Sequence, residues 1–218
     1  MKNRTFLLIV LILLLAQSAW IYYLVNDVSK VEIIKKEETN ILEESDFIKK
    51  HIKDIQSSVL YVFDLNTKKQ GSAIALTSDG LVLTLNSNVP KGDDFDFKIS
   101  GNSKVYEIRK RDYNNDLALV QIGEIGLRPC LFAKADKIDL GDNVYVLGSD
   151  EKGSYIFGQG NIKRILENEI ETDIIGDPLF NGAPVFDKEG AILGIAKLNQ
   201  NNLVDVILIK NIKDFIDL

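Results

Sequence analysis

The hydrophobic pattern changes character along the chain. Phe6 to Val25 is a run of 20 residues without a charge. A helix of that length spans about 30 Å, the thickness of a bilayer's hydrocarbon core. Lys2 and Arg4 precede the run and Asp27 follows it. The positive end is therefore expected to stay in the cytoplasm, with the remainder outside. Trp20, Tyr22 and Tyr23 fall near the outer end, where aromatic rings favour the interface. The same segment can be read as a cleaved signal peptide, with Leu7–Leu15 as the apolar core and Ala16-Gln17-Ser18 as the cleavage site. The apolar stretch continues through Ile21–Val25, which favours a retained signal anchor over residues 1–25. Both readings put the rest of the chain in an extracytoplasmic compartment.

Residues 26–57 contain no Gly or Pro and are rich in Glu, Lys and Ile. Ile34, Ile41, Ile48 and Ile55 recur every seven residues, with Val31, Ile52 and Val59 at companion positions and Glu38 and Ser45 as interruptions. This broken heptad predicts a charged helical stalk of two helices, the second capped by Ser45-Asp46. It serves either as a solvated spacer whose last part packs on the next domain, or as a short coiled coil that makes the protein oligomeric. His51, the only histidine, lies beside Lys49, Lys50 and Lys53 and is expected on the surface.

From residue 58 the pattern becomes short runs rich in β-branched and apolar residues. Strands are predicted at Val59–Leu65, Ser72–Thr77, Leu81–Leu85, Phe95–Ile99, Val105–Arg111, Leu117–Ile122, Val144–Leu147, Tyr155–Ile165, Ile170–Thr172, Pro184–Phe186, Ala191–Leu198 and Leu203–Ile209. Asp79-Gly80 marks a tight hairpin. Residues 210–218 read as a short closing helix. So many short strands without a long helical pattern indicate an all-β barrel or sandwich.

Composition narrows the chemistry. The net charge is −6, and the longest basic run is Arg109-Lys110-Arg111, so nucleic acid is not expected as a partner. The single cysteine, Cys130, cannot form an internal disulfide, and with one histidine it cannot build a cysteine-based zinc site. No metal or cofactor is expected. Cys130 reads as a small buried apolar residue rather than a reactive thiol.

Four blocks in order, Gly71–Ala75 with Ser78–Thr84, Asn115–Val120, Leu140–Gly148 and Asp177–Pro184, together resemble trypsin-like peptidases of the HtrA/Deg type. Gly71-Ser72-Ala73-Ile74-Ala75 with Ser78-Asp79-Gly80-Leu81-Val82-Leu83-Thr84 is similar to the family's second and third strands. Asn115-Asp116-Leu117-Ala118-Leu119-Val120 looks like its aspartate motif. Leu140–Gly148 resembles the strand that opens the second barrel, and Asp177-Pro178-Leu179-Phe180-Asn181-Gly182-Ala183-Pro184 stands where the family has Asn-Pro-Gly-Asn-Ser-Gly-Gly-Pro. The resemblance implies a chymotrypsin-type double six-stranded β-barrel over residues 58–218, the first barrel at about 58–125 and the second at about 138–209. It places Ser87 at the histidine position, Asp116 at the aspartate, Asn181 at the nucleophile and Leu179 at the oxyanion-hole glycine.

Acyl transfer by this fold needs a nucleophile, a base and a carboxylate that orients the base. A serine hydroxyl does not accept a proton near neutral pH, and a carboxamide is a poor nucleophile. Leu179 restricts backbone conformations that glycine would allow. No functional catalytic residue is therefore expected, and the chain reads as a pseudoprotease: a membrane-anchored module that binds peptides or envelope proteins. Two other readings stay open. One is a serine endopeptidase with an atypical site, for instance Ser87 with Lys91; the other is a structural membrane-anchored cap. Asp116 has a plainer role available, capping a turn through backbone N–H groups, and Ser87 could simply fill part of the space of an imidazole.

Overall fold

The computed structural model describes residues 16–23, 49–89, 97–99, 102–103, 106–123, 126–130, 132 and 138–216. The chain divides into two compact units, Met1–Asp46 and Phe47–Leu218. In the first, residues 16–23 are helical and exposed. Among the described residues no helix is long and apolar enough to cross a membrane. Most of the 6–25 segment and residues 26–48 of the predicted stalk lie outside the described residues.

The second unit begins with helix α1 (49–56), whose Ile55 is buried. Among the described residues thirteen strands come next: β1 Val59–Asp64, β2 Gln70–Ala75, β3 Leu81–Leu85, β4 Phe97–Ile99, β5 Asn102–Ser103, β6 Tyr106–Asp112, β7 Leu117–Ile122, β8 Asn143–Ser149, β9 Tyr155–Ile165, β10 Glu169–Ile175, β11 Pro184–Asp187, β12 Ile192–Leu198 and β13 Leu203–Leu208. Helix α2, Ile209–Ile216, comes last. Strands β8 to β13 form a closed six-stranded barrel in the order β10-β13-β12-β11-β8-β9. The first half is a seven-stranded sheet in the order β5-β4-β1-β2-β3-β7-β6, where a six-stranded barrel is expected from sequence. The added strand is β5, two polar residues paired with β4, and two residues carry no periodic signal.

Alternation explains which faces are buried. The Asp79-Gly80 turn lets β2 and β3 pair with Ile74 opposite Leu83, Gly80 adopting φ 100. Val62, Ala73, Val82, Ala118 and Val120 point into the first sheet's own core. Val144, Ile162, Ile170, Val185, Ala196 and Val206 fill the second barrel. A third cluster joins the halves: Ile74, Leu83, Leu85 and Leu117 from the first meet Tyr145, Leu147, Phe186 and Ile195 from the second, with Ile55, Ile212 and Phe215 from the two helices. Burying such side chains stabilises by roughly 1.5–3 kcal/mol each, so this seam holds the sheets in fixed register. Cys130 is buried beside it, and burial pushes its thiol up to about 11, against a smaller opposing contact from Ser58.

His51 is not on the open surface as expected. It is half-buried against the turn between β11 and β12, where a side-chain carbon on Gly190 would lie 2.5 Å from its Nδ1. The lysines around it set the expectation, and the missing Cβ at Gly190 makes the room.

Candidate functional site

The cleft is built where the two halves meet, from the end of β3, the turn before β7, the 3-10 turn at Pro178–Phe180 and the end of β12. Strand β3 ends in a 3-10 turn, Asn86–Asn88, that carries Ser87. Asp116 precedes β7 in a left-handed conformation, φ 57, which Asp tolerates better than most residues. Its carbonyl accepts from the Asn86 N–H at 2.8 Å. Its carboxylate accepts from the Ser87 N–H at 2.8 Å and from Ser87 Oγ at 3.1 Å. The Asp116 carboxylate thus holds the Ser87 turn by two hydrogen bonds.

Asp116 has another neighbour that sequence reasoning missed. Lys197 Nζ on β12 lies 3.3 Å from Asp116 Oδ2, the same oxygen that accepts from Ser87 Oγ. Asp116 is mostly buried while Lys197 stays half-exposed. The ion pair therefore occupies the carboxylate from the side away from the Ser87 backbone. A lysine in an otherwise apolar strand was the only linear signal, and it does not say which carboxylate 81 positions away it will meet.

The Asp177–Asn181 segment is folded upon itself. Asp177 caps the 3-10 turn, and Pro178 stands at its first position, an arrangement both residues favour. Asp177 Oδ1 accepts from the Leu179 N–H at 2.9 Å. The Asn181 N–H donates to the Pro178 carbonyl at 3.2 Å. The two main-chain donors that an oxyanion hole would need are both engaged within the turn. The Asn181 side chain is turned toward β12, its Oδ1 accepting from the Leu198 N–H at 2.9 Å. The Leu179 side chain is buried.

A buried polar network fixes this turn to the first sheet. Ser72 Oγ on β2 donates to the Leu179 carbonyl at 2.7 Å and accepts from the Ser149 N–H at 3.1 Å. The Ser72 N–H donates to the Asn181 carbonyl at 2.7 Å, and Asn88 Nδ2 donates to the same carbonyl at 2.9 Å. Thr84 Oγ1 donates to the Ser72 carbonyl at 2.7 Å and accepts from Asn88 Nδ2 at 3.1 Å. Gly182 makes the close approach feasible: at φ +83, a side-chain carbon there would overlap the Ser72 carbonyl and lie 2.7 Å from Thr84 Oγ1.

Ser87, Asn88 and Asn181 line one cavity of ≈ 340 Å³, and Asp116 stands behind Ser87. The structure therefore brings Ser87, Asp116 and Asn181 to one place, with Leu179 two residues before Asn181 in the adjoining turn. Lys91 lies outside the described residues. Among the described residues there is no cluster of His, Cys, Asp and Glu that could hold a metal ion.

The family model described as a trypsin-like peptidase domain matches residues 71–195, more than half of the 218. The chain belongs to the trypsin-like peptidase family. Its relatives include a probable periplasmic serine endoprotease DegP-like from Pseudomonas putida, 28% identical over 134 residues, which covers 57% of this chain and 28% of the relative. A protein of the same description from Hahella chejuensis is 27% identical over 134 residues, covering 57% of this chain and 29% of the relative. This peptidase-family chain thus spans under a third of the length of the curated relatives it matches. The crystal structure of Deg5 superposes with a TM-score of 0.70 at 19% identity, covering 79% of this chain and 93% of that one, which shows the shared fold.

Proposed function

We propose that this trypsin-like domain is a pseudoprotease: a membrane-anchored, extracytoplasmic module that binds a peptide or a protein partner instead of cleaving it. The observation that carries the reading is the state of the 177–181 turn. Both main-chain donors needed by a developing oxyanion are engaged inside the turn, by Asp177 and Pro178. The side chain at the nucleophile position is a carboxamide fixed to β12, and no imidazole stands at position 87. Removing single members of a working triad leaves residual catalysis from the oxyanion hole; here that remainder lacks its donors too. The extracytoplasmic setting is supported by the charge-free run from Phe6 and by the description of the relatives as periplasmic.

The test is a serine-reactive fluorophosphonate probe on the purified full chain in detergent, beside hydrolysis of an unstructured protein substrate. No labelling and no hydrolysis are expected. Labelling at any serine that disappears when that serine is replaced by alanine would overturn the reading.

A second reading has one observation in its favour. Ser87 Oγ and Lys197 Nζ converge on the same oxygen of Asp116. An atypical endopeptidase that uses Ser87 as its nucleophile predicts probe labelling that Ser87→Ala abolishes. That residue is exposed and donates to a carboxylate that an ammonium also engages, which provides an anchored turn more readily than an activated oxygen.

A further inference from the structure

The cavity beside Ser87 and Asn181 has donors on its walls, and none of its described lining residues is a carboxylate: Lys68, Lys69 and Gln70 form one side. The turn that carries the lysines is rigidly built. The Asp64 N–H donates to the Lys69 carbonyl at 2.9 Å, and the Asp64 carboxylate accepts from the Asn66 N–H at 2.9 Å, the Thr67 N–H at 3.3 Å and Thr67 Oγ1 at 2.5 Å. Lys68 adopts φ 58 at the tip. The carboxylate in this turn is thus spent on the turn itself. Lys68 and Lys69 are exposed, and neither makes an ion pair among the described residues; the Lys68 ammonium sits 6.0 Å from the Phe63 ring.

Two described carboxylates beside the cavity's lining residues are spent in the same way. Asp116 holds Ser87 and Lys197, and Asp177 holds the Leu179 N–H. Asn181 turns its Oδ1 to the Leu198 N–H, which leaves the Nδ2 donor to face other partners. Among the described residues the result is a local positive, donor-rich recess in a chain whose net charge is −6. A long polyanion would meet the acidic remainder of the surface, whereas a short acidic stretch needs to touch only the recess. Its volume of ≈ 340 Å³ lies at the low end of ligand sites, about 300 Å³ and upward, and suits one or two side chains rather than a large ligand.

We infer that this cavity recognises an acidic segment of a peptide partner, its carboxylates taken by Lys68 and Lys69, an inference that rests on the peptide-binding role proposed above. The positive charge comes from two residues, so the preference for acidic over neutral sequence is moderate and salt-sensitive.

The test is fluorescence anisotropy with the full chain in detergent and three labelled octapeptides of the same backbone, carrying four Glu, four Gln or four Lys. The Glu peptide is expected to bind roughly three- to tenfold more tightly than the Gln peptide at low salt, a margin that shrinks at high salt. The exposed double variant Lys68→Gln/Lys69→Gln should lose that margin while its melting temperature stays unchanged. Equal binding of the Glu and Gln peptides by the natural chain would overturn the acidic preference and leave the peptide-binding role standing. A margin that survives the double variant would move the site elsewhere and overturn the inference. Binding of none of the three would remove both the inference and the role beneath it. A single-stranded oligonucleotide bound as tightly as the Glu peptide, and lost in the double variant, would replace a peptide site with a general anion site.

Discussion

Replacing Ser72 with alanine removes one oxygen from the middle of the molecule. That oxygen is fully buried and bridges the two halves, donating to the Leu179 carbonyl and accepting from the Ser149 N–H. Alanine fills nearly the same space, so the cavity left is small and the cost lies in the two abandoned groups. Both Leu179 and Ser149 are buried. An unsatisfied buried polar group costs about 1–3 kcal/mol, so the variant should lose roughly 2–4 kcal/mol. For a unit of this size about 1 kcal/mol moves the melting temperature by about 2–4 °C, which predicts a fall of roughly 4–16 °C. The one tryptophan, Trp20, belongs to the first unit and Ser72 to the second, so far-UV circular dichroism or tyrosine fluorescence is the assay. Ser57→Ala serves as a control, because its hydroxyl makes only a long 3.4 Å contact to Asp54 near the surface. A Ser72→Ala melting temperature within about 2 °C of the natural chain would refute the argument that this oxygen ties the nucleophile turn to the first sheet.

Gly182→Ala should cost about 3 kcal/mol or more, because the new carbon would overlap the Ser72 carbonyl at a backbone angle of φ +83; soluble yield and urea titration would check it, and a near-neutral effect would contradict the packing. Asp187 is raised above the ordinary carboxylate range by burial, with Glu189 adding to the effect and the Ala191 N–H and His51 opposing it. The folded state therefore binds that proton more tightly than the unfolded one, so stability is highest below the unfolded carboxylate range and falls as pH rises through the folded value. Asp187→Asn should raise the melting temperature near neutral pH and lose that advantage in acid, provided the Ala191 N–H keeps its acceptor; an effect independent of pH would refute it. Ser87→His alone should leave the fluorophosphonate probe without a target, since Asn181 and Leu179 remain; a fully labelled single variant would show that the nucleophile lies elsewhere.

Much of the fold was legible because alternation reports directly on burial. Val59, Ile74, Leu83 and Leu119 recur at positions that must face apolar neighbours, and the strands carrying them appear within a residue or two of their expected ends. The Asp79-Gly80 turn needed only local chemistry. β5 was not legible, because Asn102-Ser103 owes its pairing to β4 and not to its own composition. At the site, Ser87, Asp116 and Asn181 were read from motif order alone. The capture of the Leu179 N–H by Asp177 had a visible cue, an Asp followed by Pro at the start of a short turn. The meeting of Lys197 with Asp116 had only a lysine in an apolar strand to announce it, because the pairing depends on how two strands from different halves come to rest. His51 was misjudged for a related reason: its burial is created by a glycine 139 positions away.

Helices α1 and α2 open and close the second unit, yet Ile55 from the one and Ile212 and Phe215 from the other enter the same apolar cluster between the sheets. The ends of the unit thus act like a clasp over its hinge line. Trimming either helix would expose the fastening while leaving every strand present, so a shortened chain should keep its strands and still loosen the seam along which the site is assembled.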